Sequence, residues 1–251
     1  MRPTLFILAT FLILPAASRG AESKDDPQAI VDKAIQAHGG ADKLAKIKGQ
    51  SWKAKGSMTA GGMKMTYDAL YQFAPANHFR FDLEMEAGGN RIKLSAGTDG
   101  KAAWESLAPL VQDMAKEKQV EFHHNVYVMN LSQVTPLKDK AFTLTALGES
   151  KLGEQTLVGI KVAHKDRRDV HMYFDKKTGL LTKTSSRIND EFSKKEVEQA
   201  TVLSGYRDRD GLKVFDKLTI QLDGKEFIVE EMSDQKYLEK PDLKQFAKPA
   251  K

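Results

Sequence analysis

Two hydrophobic periods share this chain. Between residues 27 and 48 apolar side chains recur at helical spacing, and beyond Gly49 they alternate with polar ones over most of the remaining length. Pro27 opens the helical stretch, Ile30, Val31, Ala34 and Ile35 fall on one face, and Gly39-Gly40 closes it. ADKLAKIK adds a shorter turn carrying Leu44 and Ile47. Trp52, Ala54, Gly56 and Met58 then line one side of a first strand. Gly61-Gly62 reverses the chain into a second, with Met63, Met65, Tyr67, Ala69, Tyr71 and Phe73 on one face. NHFRFDLEM follows, where Phe79, Phe81, Leu83 and Met85 alternate strictly with polar residues. RIKLSAG and the TDGK turn complete an antiparallel meander of about five strands.

The stretch 108–134 lacks turn residues, and Leu110, Val111 and Met114 predict a helix over about 108–118, a plug or lid between two runs of strands. After Pro136 the alternation resumes in AFTLTAL, LVGIKVAH, DVHMYFD, LLTKTSSRI, QATVLSGY, KLTIQLD and FIVEEM, separated by Asp- and Gly-rich turns. The fold class that follows is mainly β with α (α+β). One large, strongly curved antiparallel sheet of roughly twelve strands wraps three helical pieces in a single domain over residues 21–251.

The N-terminus changes where that domain works. Arg2, an apolar run from Leu5 to Leu14, Pro15 and then small residues have the layout of a secretory signal peptide over residues 1–20, cleaved after Ser18 or Gly20. The chain has no cysteine, which excludes disulfides, thiolate metal sites, cysteine nucleophiles and a lipidated cysteine. Export without disulfides fits a soluble protein of a bacterial periplasm. Losing residues 1–20 removes Arg2 and Arg19 and no acid, so the formal charge of +5 falls to +3. Charged residues make up 29% of the chain, with both signs interleaved and no clustered basic stripe, so no nucleic-acid partner is expected.

Candidate chemistry is sparse. There is no nucleophile elbow, zinc-protease helix, phosphate loop or dinucleotide fingerprint, so no catalytic residue, cofactor or metal is assigned. His123-His124, close after Glu117 and Glu121, is a poor chelating pair because neighbours on a helix point about 100° apart. His164, His171 and the charged turns 166–169 and 207–210 read as structural or surface groups. Methionines are what stand out: Met58, Met63, Met65, Met85, Met114, Met129 and Met172 lie in or beside the patterned segments, where flexible side chains suit either a tolerant core or a variable apolar ligand.

AIVDKAIQAHGGADKLAKIKGQSWKAKGSM, the HFRFDLEM strand, TDGKAAWES, VHMYFDKKTGLLTK and GLKVFDKLTI, in that order over residues 28–246, resemble the LolA/LolB-like periplasmic proteins, the outer-membrane lipoprotein-sorting-like group. The resemblance implies an incomplete antiparallel barrel whose open mouth is closed by helices and whose concave face receives acyl chains. The residues it implies for nonpolar contact are Trp52, Met58, Met65, Tyr67, Phe79, Phe81, Leu83 and Trp104, with Met114 on the lid helix. Carriers of this group tie the lid to the barrel with an arginine; Arg80 and Arg91 lie opposite the apolar face, so that role passes to neither.

The expected protein is a monomeric, nonenzymatic periplasmic binder of a lipid or acylated lipoprotein cargo, meeting an inner- or outer-membrane protein partner. The alternatives are a sensor module on the same fold, marked by a filled cavity and an outside apolar patch, and an exported hydrolase, marked by polar groups converging in the cavity. Phe79, Phe81 and Leu83 should line open space under the helices if cargo binds there.

Overall fold

The computed structural model describes residues 26–75, 77–87 and 89–249, so the proposed export segment lies outside the described residues. Helix α1 (Pro27–His38) starts where the Asp26 carboxylate accepts the Gln28 N–H at 3.0 Å, with proline in the first turn. It ends in a Schellman motif: Gly40 N–H donates to Ile35 O and Gly39 N–H to Gln36 O. Gly39 has φ 129°, and a Cβ there would come within 2.7 Å of Gly211 O, so both conformation and close approach demand glycine. The short helix α2 (Ala41–Leu44) follows.

Six strands form the first meander: β1 (Gly49–Ala60), β2 (Met63–Ala74), β3 (His78–Ala87), β4 (Asn90–Asp99), β5 (Ala103–Leu107) and β6 (Leu110–Asp113). Helix α3 (Lys116–Leu131) and a 3-10 turn (Thr135–Lys138) lead into β7 (Thr143–Leu152), β8 (Gln155–His164), β9 (Arg167–Asp175), β10 (Leu181–Asn189) and β11 (Glu196–Ser204). A small hairpin, β12 (Arg207–Arg209) and β13 (Leu212–Val214), precedes β14 (Lys217–Leu222), β15 (Lys225–Leu238) and a closing 3-10 turn (Leu243–Phe246).

Thirteen strands make one antiparallel sheet in the order β6-β5-β4-β3-β2-β1-β15-β14-β11-β10-β9-β8-β7. The edges β6 and β7 do not pair, so the sheet is not closed, and α3 is the link that runs between them.

The expected helix over about 108–118 is corrected. Residues 103–113 form the β5–β6 hairpin, with Leu107 opposite Leu110 across Ala108-Pro109, and the helix begins at Lys116. Pro109 makes a turn between strands instead of opening a helix. Met114 is therefore not on the lid helix: its N–H pairs with Ala103 O at 3.0 Å, and its side chain is buried against Ala96 and Ala103.

The register carries one face across the whole sheet. Val162, Ile160 and Val158 of β8 lie opposite Val170, Met172 and Phe174 of β9, and together they pack under Ile30, Val31, Ala34 and Ile35 of α1 and Tyr127 and Leu131 of α3. This is the main core. A second cluster forms where Phe122, Val126 and Met129 of α3 press on Trp52, Phe73, Phe79 and Phe81 of the first meander. One helix thus glues both halves of the concave face.

Candidate functional site

Between these two packed zones the concave face is left open. A cavity of about 360 Å³ lies under α3, bounded by Val128 and Met129 of the helix, Trp52 of β1, Leu203 of β11, Leu218 and Ile220 of β14, and Ile228 and Met232 of β15. Leu44 and Ile47 close one end, and Tyr206, Leu212 and Phe215 around the β12–β13 hairpin close another. Alternation explains the wall: in KLTIQL, Leu218 and Ile220 turn inward, and Thr201 and Leu203 face them from β11. The volume falls at the lower end of the range used for small-molecule sites, with the mostly apolar lining such sites have.

Four polar side chains on the wall bond one another, and His38, Ser132, Tyr206 and Gln235 bond backbone carbonyls. Gln199 donates to Asn125 Oδ1 at 2.8 Å, and Gln50 to Gln133, in each case tying a strand to α3. The helix is fastened elsewhere too. Arg168 of β9 makes a two-pronged contact to Glu121 at 2.6 and 2.7 Å, Asn189 adds a bond at 2.8 Å, and Thr98 of β4 pairs with His123 at 3.0 Å. His124 Nε2 lies 2.9 Å from Ser186 Oγ, a serine–histidine contact with both residues buried and neither on the cavity wall. Among the described residues no group of His, Asp and Glu could hold a metal ion.

Burial, reinforced by the Arg168 charge, pushes the His124 imidazole down to about 4. The folded state then binds a proton less readily than the unfolded chain, whose histidine titrates near 6.5. His124 therefore supports the fold fully above pH 6.5, and that support fades as the pH falls toward 4. Urea unfolding at pH 7.5 and 4.5 should show wild type losing on the order of 2 kcal/mol more than His124→Gln, which keeps a donor for Ser186 but cannot titrate. Equal losses in the two proteins would show that His124 is not held neutral by its packing.

A buried carboxylate lies on the concave face beside the cavity, off its wall. Glu230 of β15 points inward opposite Gly56 of β1 and Leu218 of β14 and is 5% exposed. Tyr67 OH donates to its Oε1 at 2.7 Å, and Tyr71 OH donates to the same oxygen. Both rings reach across β1 over small residues: Ala54 faces Ala69 between them, and a Cβ on Gly56 would lie 2.4 Å from Tyr67 Cζ. Burial holds the Glu230 carboxyl above its ordinary range and both phenols far above theirs.

The nine residues expected on a ligand face are dispersed. Trp52 lines the cavity and stacks on Tyr71 at 5.2 Å. Phe79 and Phe81 do not; they pack on Phe122 of α3 with ring centroids at 6.0 and 6.4 Å. Met58, Met65, Tyr67 and Leu83 share the concave face but sit farther along the hairpins, in a separate cluster with Met85, Ile92 and Leu94. Met114 lies in the turn before α3, against Ala96 and Ala103.

Trp104 is on the opposite face, which corrects its place in the set. It pairs with Gly97, in line with Arg80. Its Nε1–H donates to Phe246 O at 2.9 Å, while the Arg80 guanidinium lies 5.4 Å from its ring. The C-terminal turn, with Phe246 fully buried, covers it. The cavity residues that sequence reasoning missed include Leu203, Leu218, Ile220, Ile228 and Met232; KLTIQL and FIVEEM already placed the last four on inward positions.

No protein family and no curated protein matches the sequence. Solved structures do match the fold. A LolA superfamily protein from Nitrosomonas europaea aligns with TM-score 0.58 at 12% identity, covering 88% of this chain and 97% of its own. A DUF1329 family protein from Desulfovibrio piger aligns with TM-score 0.55 at 16% identity, covering 85% and 94%. A domain assigned to outer-membrane lipoprotein sorting from Vibrio parahaemolyticus aligns with TM-score 0.54 at 7% identity, covering 88% and 97%. The chain therefore has a LolA-like fold, mainly β, with its sheet unclosed. No helix among the described residues is long and apolar enough to cross a membrane.

Proposed function

We propose that this chain is a nonenzymatic binding protein of the periplasm that shelters a lipid or the acyl chain of a lipoprotein in the cavity under α3. The observation that carries the reading is the cavity itself: about 360 Å³, walled mainly by Leu, Ile, Met and aromatic side chains, in a fold shared with LolA superfamily and lipoprotein-sorting structures. Two facts support binding over hydrolysis. Four of the polar side chains on the wall are paired off as Asn125–Gln199 and Gln50–Gln133, and the buried serine–histidine pair lies off the wall. Delivery of cargo to a membrane protein belongs to the same proposal, with α3 as the element that must move to admit a chain.

Native mass spectrometry with lipid extraction, on protein purified from the periplasm of an expressing bacterium, tests it. Bound lipid, displaced in parallel by a fluorescent fatty acid, is the expected result. Reproducible absence of lipid together with no uptake of the fluorescent probe would remove the proposal.

A further inference from the structure

Charge on the cavity wall is one-sided. Among the described residues, Lys213 of β13 and Lys236 of β15 border the space, and no aspartate or glutamate does. His38, the other basic group there, is buried, which pushes its imidazole below its ordinary range. Both lysines stand at one end. β11 and β14 give alternate residues to the wall, as strands do when one face looks into a space, but residues 50–52, 212–215 and 235–237 border it consecutively. Consecutive residues meet one space where the chain runs along its rim. A bulge accompanies this: the β1–β15 register slips between Ser51 and Lys53, and Asp234 has φ 48°. Lys213 and Lys236 are exposed, so the cavity reaches solvent here. A lysine at such a rim borders apolar space with its stem and keeps its ammonium in water.

These charges are largely uncommitted. Lys236 forms no ion pair among the described residues, and the neighbouring Asp234 carboxylate is bonded to Lys53 at 2.8 Å. Lys213 meets Asp208 at 3.1 Å in a pair that is about half exposed on both sides, which holds it weakly. Arg209 adds a cation beside them, its Nη1 donating to Gln235 O at 2.6 Å. The half-buried Tyr237 hydroxyl has no hydrogen-bond partner among the described residues and is a neutral donor on the same rim.

Resting on the lipid-binding reading above, we propose that this rim is the head-group subsite of the cavity and takes an anion, a carboxylate or phosphate on an aliphatic tail that lies under α3. Lys213 and Lys236 supply the opposite charge, and Tyr237 supplies a hydrogen bond. An ammonium head group on the same tail is repelled, and an uncharged hydroxyl gains no charge attraction. The apolar wall accepts any tail, so the lysines decide among head groups. Because both are exposed, the preference weakens as salt rises.

The test uses decanoate, decyl phosphate, 1-decanol and decylamine below their aggregation concentrations. Each competes at pH 7.5 against an uncharged fluorescent alkyl probe, on wild type and on the double variant Lys213→Glu, Lys236→Glu. In wild type at low salt the better of the two anions should displace the probe at about tenfold lower concentration than decylamine, with decanol between them. Whichever anion leads names the source, a fatty-acid carboxylate or a phosphate ester. Raising the salt to about 0.5 M should narrow the gap between anion and amine, and the double variant should abolish or invert it. Equal displacement by all four in wild type overturns the subsite while leaving the binding reading intact. A gap that persists unchanged in the variant overturns it too, since the preference would then come from elsewhere. If the uncharged probe itself fails to bind wild type, the lipid-binding reading falls and the subsite with it. Should the variant fold poorly, the wild-type ranking and its salt dependence still decide.

Discussion

Leu131→Ala should remove about 3–5 kcal/mol of folding stability, read as a lower urea midpoint at unchanged slope. Leu131 is fully buried at the end of α3, in the core that includes Ile30 and Ile35 of α1 and Ile160 and Met172 of the sheet. Truncation leaves a void enclosed on three sides by secondary structure that cannot collapse without moving a whole element, so the loss belongs at the upper end of the Leu→Ala range. Against the roughly 5–15 kcal/mol of a typical domain, that is a large fraction. Because α3 also roofs the cavity, hydrogen exchange along 116–131 should accelerate more than in β8 and β9. A loss below about 1 kcal/mol would mean that the helix is seated by its polar fastenings, Glu121–Arg168 foremost, and not by this packing.

The second large effect is on binding. Thr201 sits on β11 facing Ile220, with its side chain on the cavity wall. Thr201→Trp projects an indole into the open space, so the ligand must displace it or do without the volume. Affinity for an alkyl probe should fall at least tenfold, about 1.4 kcal/mol, while the urea midpoint holds or rises because the added apolar surface fills a void. Phe81→Ala is the matched control. It enlarges packing that is already closed against Phe122, so it should cost stability without a comparable loss of probe affinity. Undiminished binding by Thr201→Trp would place the ligand somewhere other than this cavity.

How much of this was legible beforehand depends on which interaction wrote the pattern. Strands whose one face is buried announced themselves: the alternation in NHFRFDLEM and KLTIQLDGKEFIV matches β3 and the β14–β15 hairpin. Helix α3 did not. It packs Phe122 and Val126 on the first meander and Tyr127 and Leu131 on the second, while His123, His124 and Asn125 bond to strands, so most of its circumference is in contact and no single apolar stripe exists. Pro109 compounded the error, since proline suits a helix start and a strand-joining turn equally.

Trp104 misled for a related reason. In AWESL the inward residues are Ala103, Glu105 and Leu107, while the alternation alone does not say that the large aromatic between them lies on the other face. Trp104 faces outward beneath the C-terminal turn, more than 130 residues away in sequence, a contact that no local period records. The position of the cavity is the deepest loss. Alternation reports which side of a strand is concave, but only the lie of α1 and α3 decides which part of that side is packed and which is open.

The first and last long strands of the chain are neighbours in the middle of the sheet, with Gly49 opposite Leu238 and Met58 opposite Ile228. The meanders on either side can assemble from contacts close in sequence, but this seam cannot form until almost the whole chain has been synthesised. Each half-sheet would meanwhile present an unpaired edge at β1 or β15. The order of assembly built into the topology is therefore two local hairpin arrays followed by a late, entropically costly closure, which places folding among the slower classes and makes the seam the segment most in need of protection until the chain is complete.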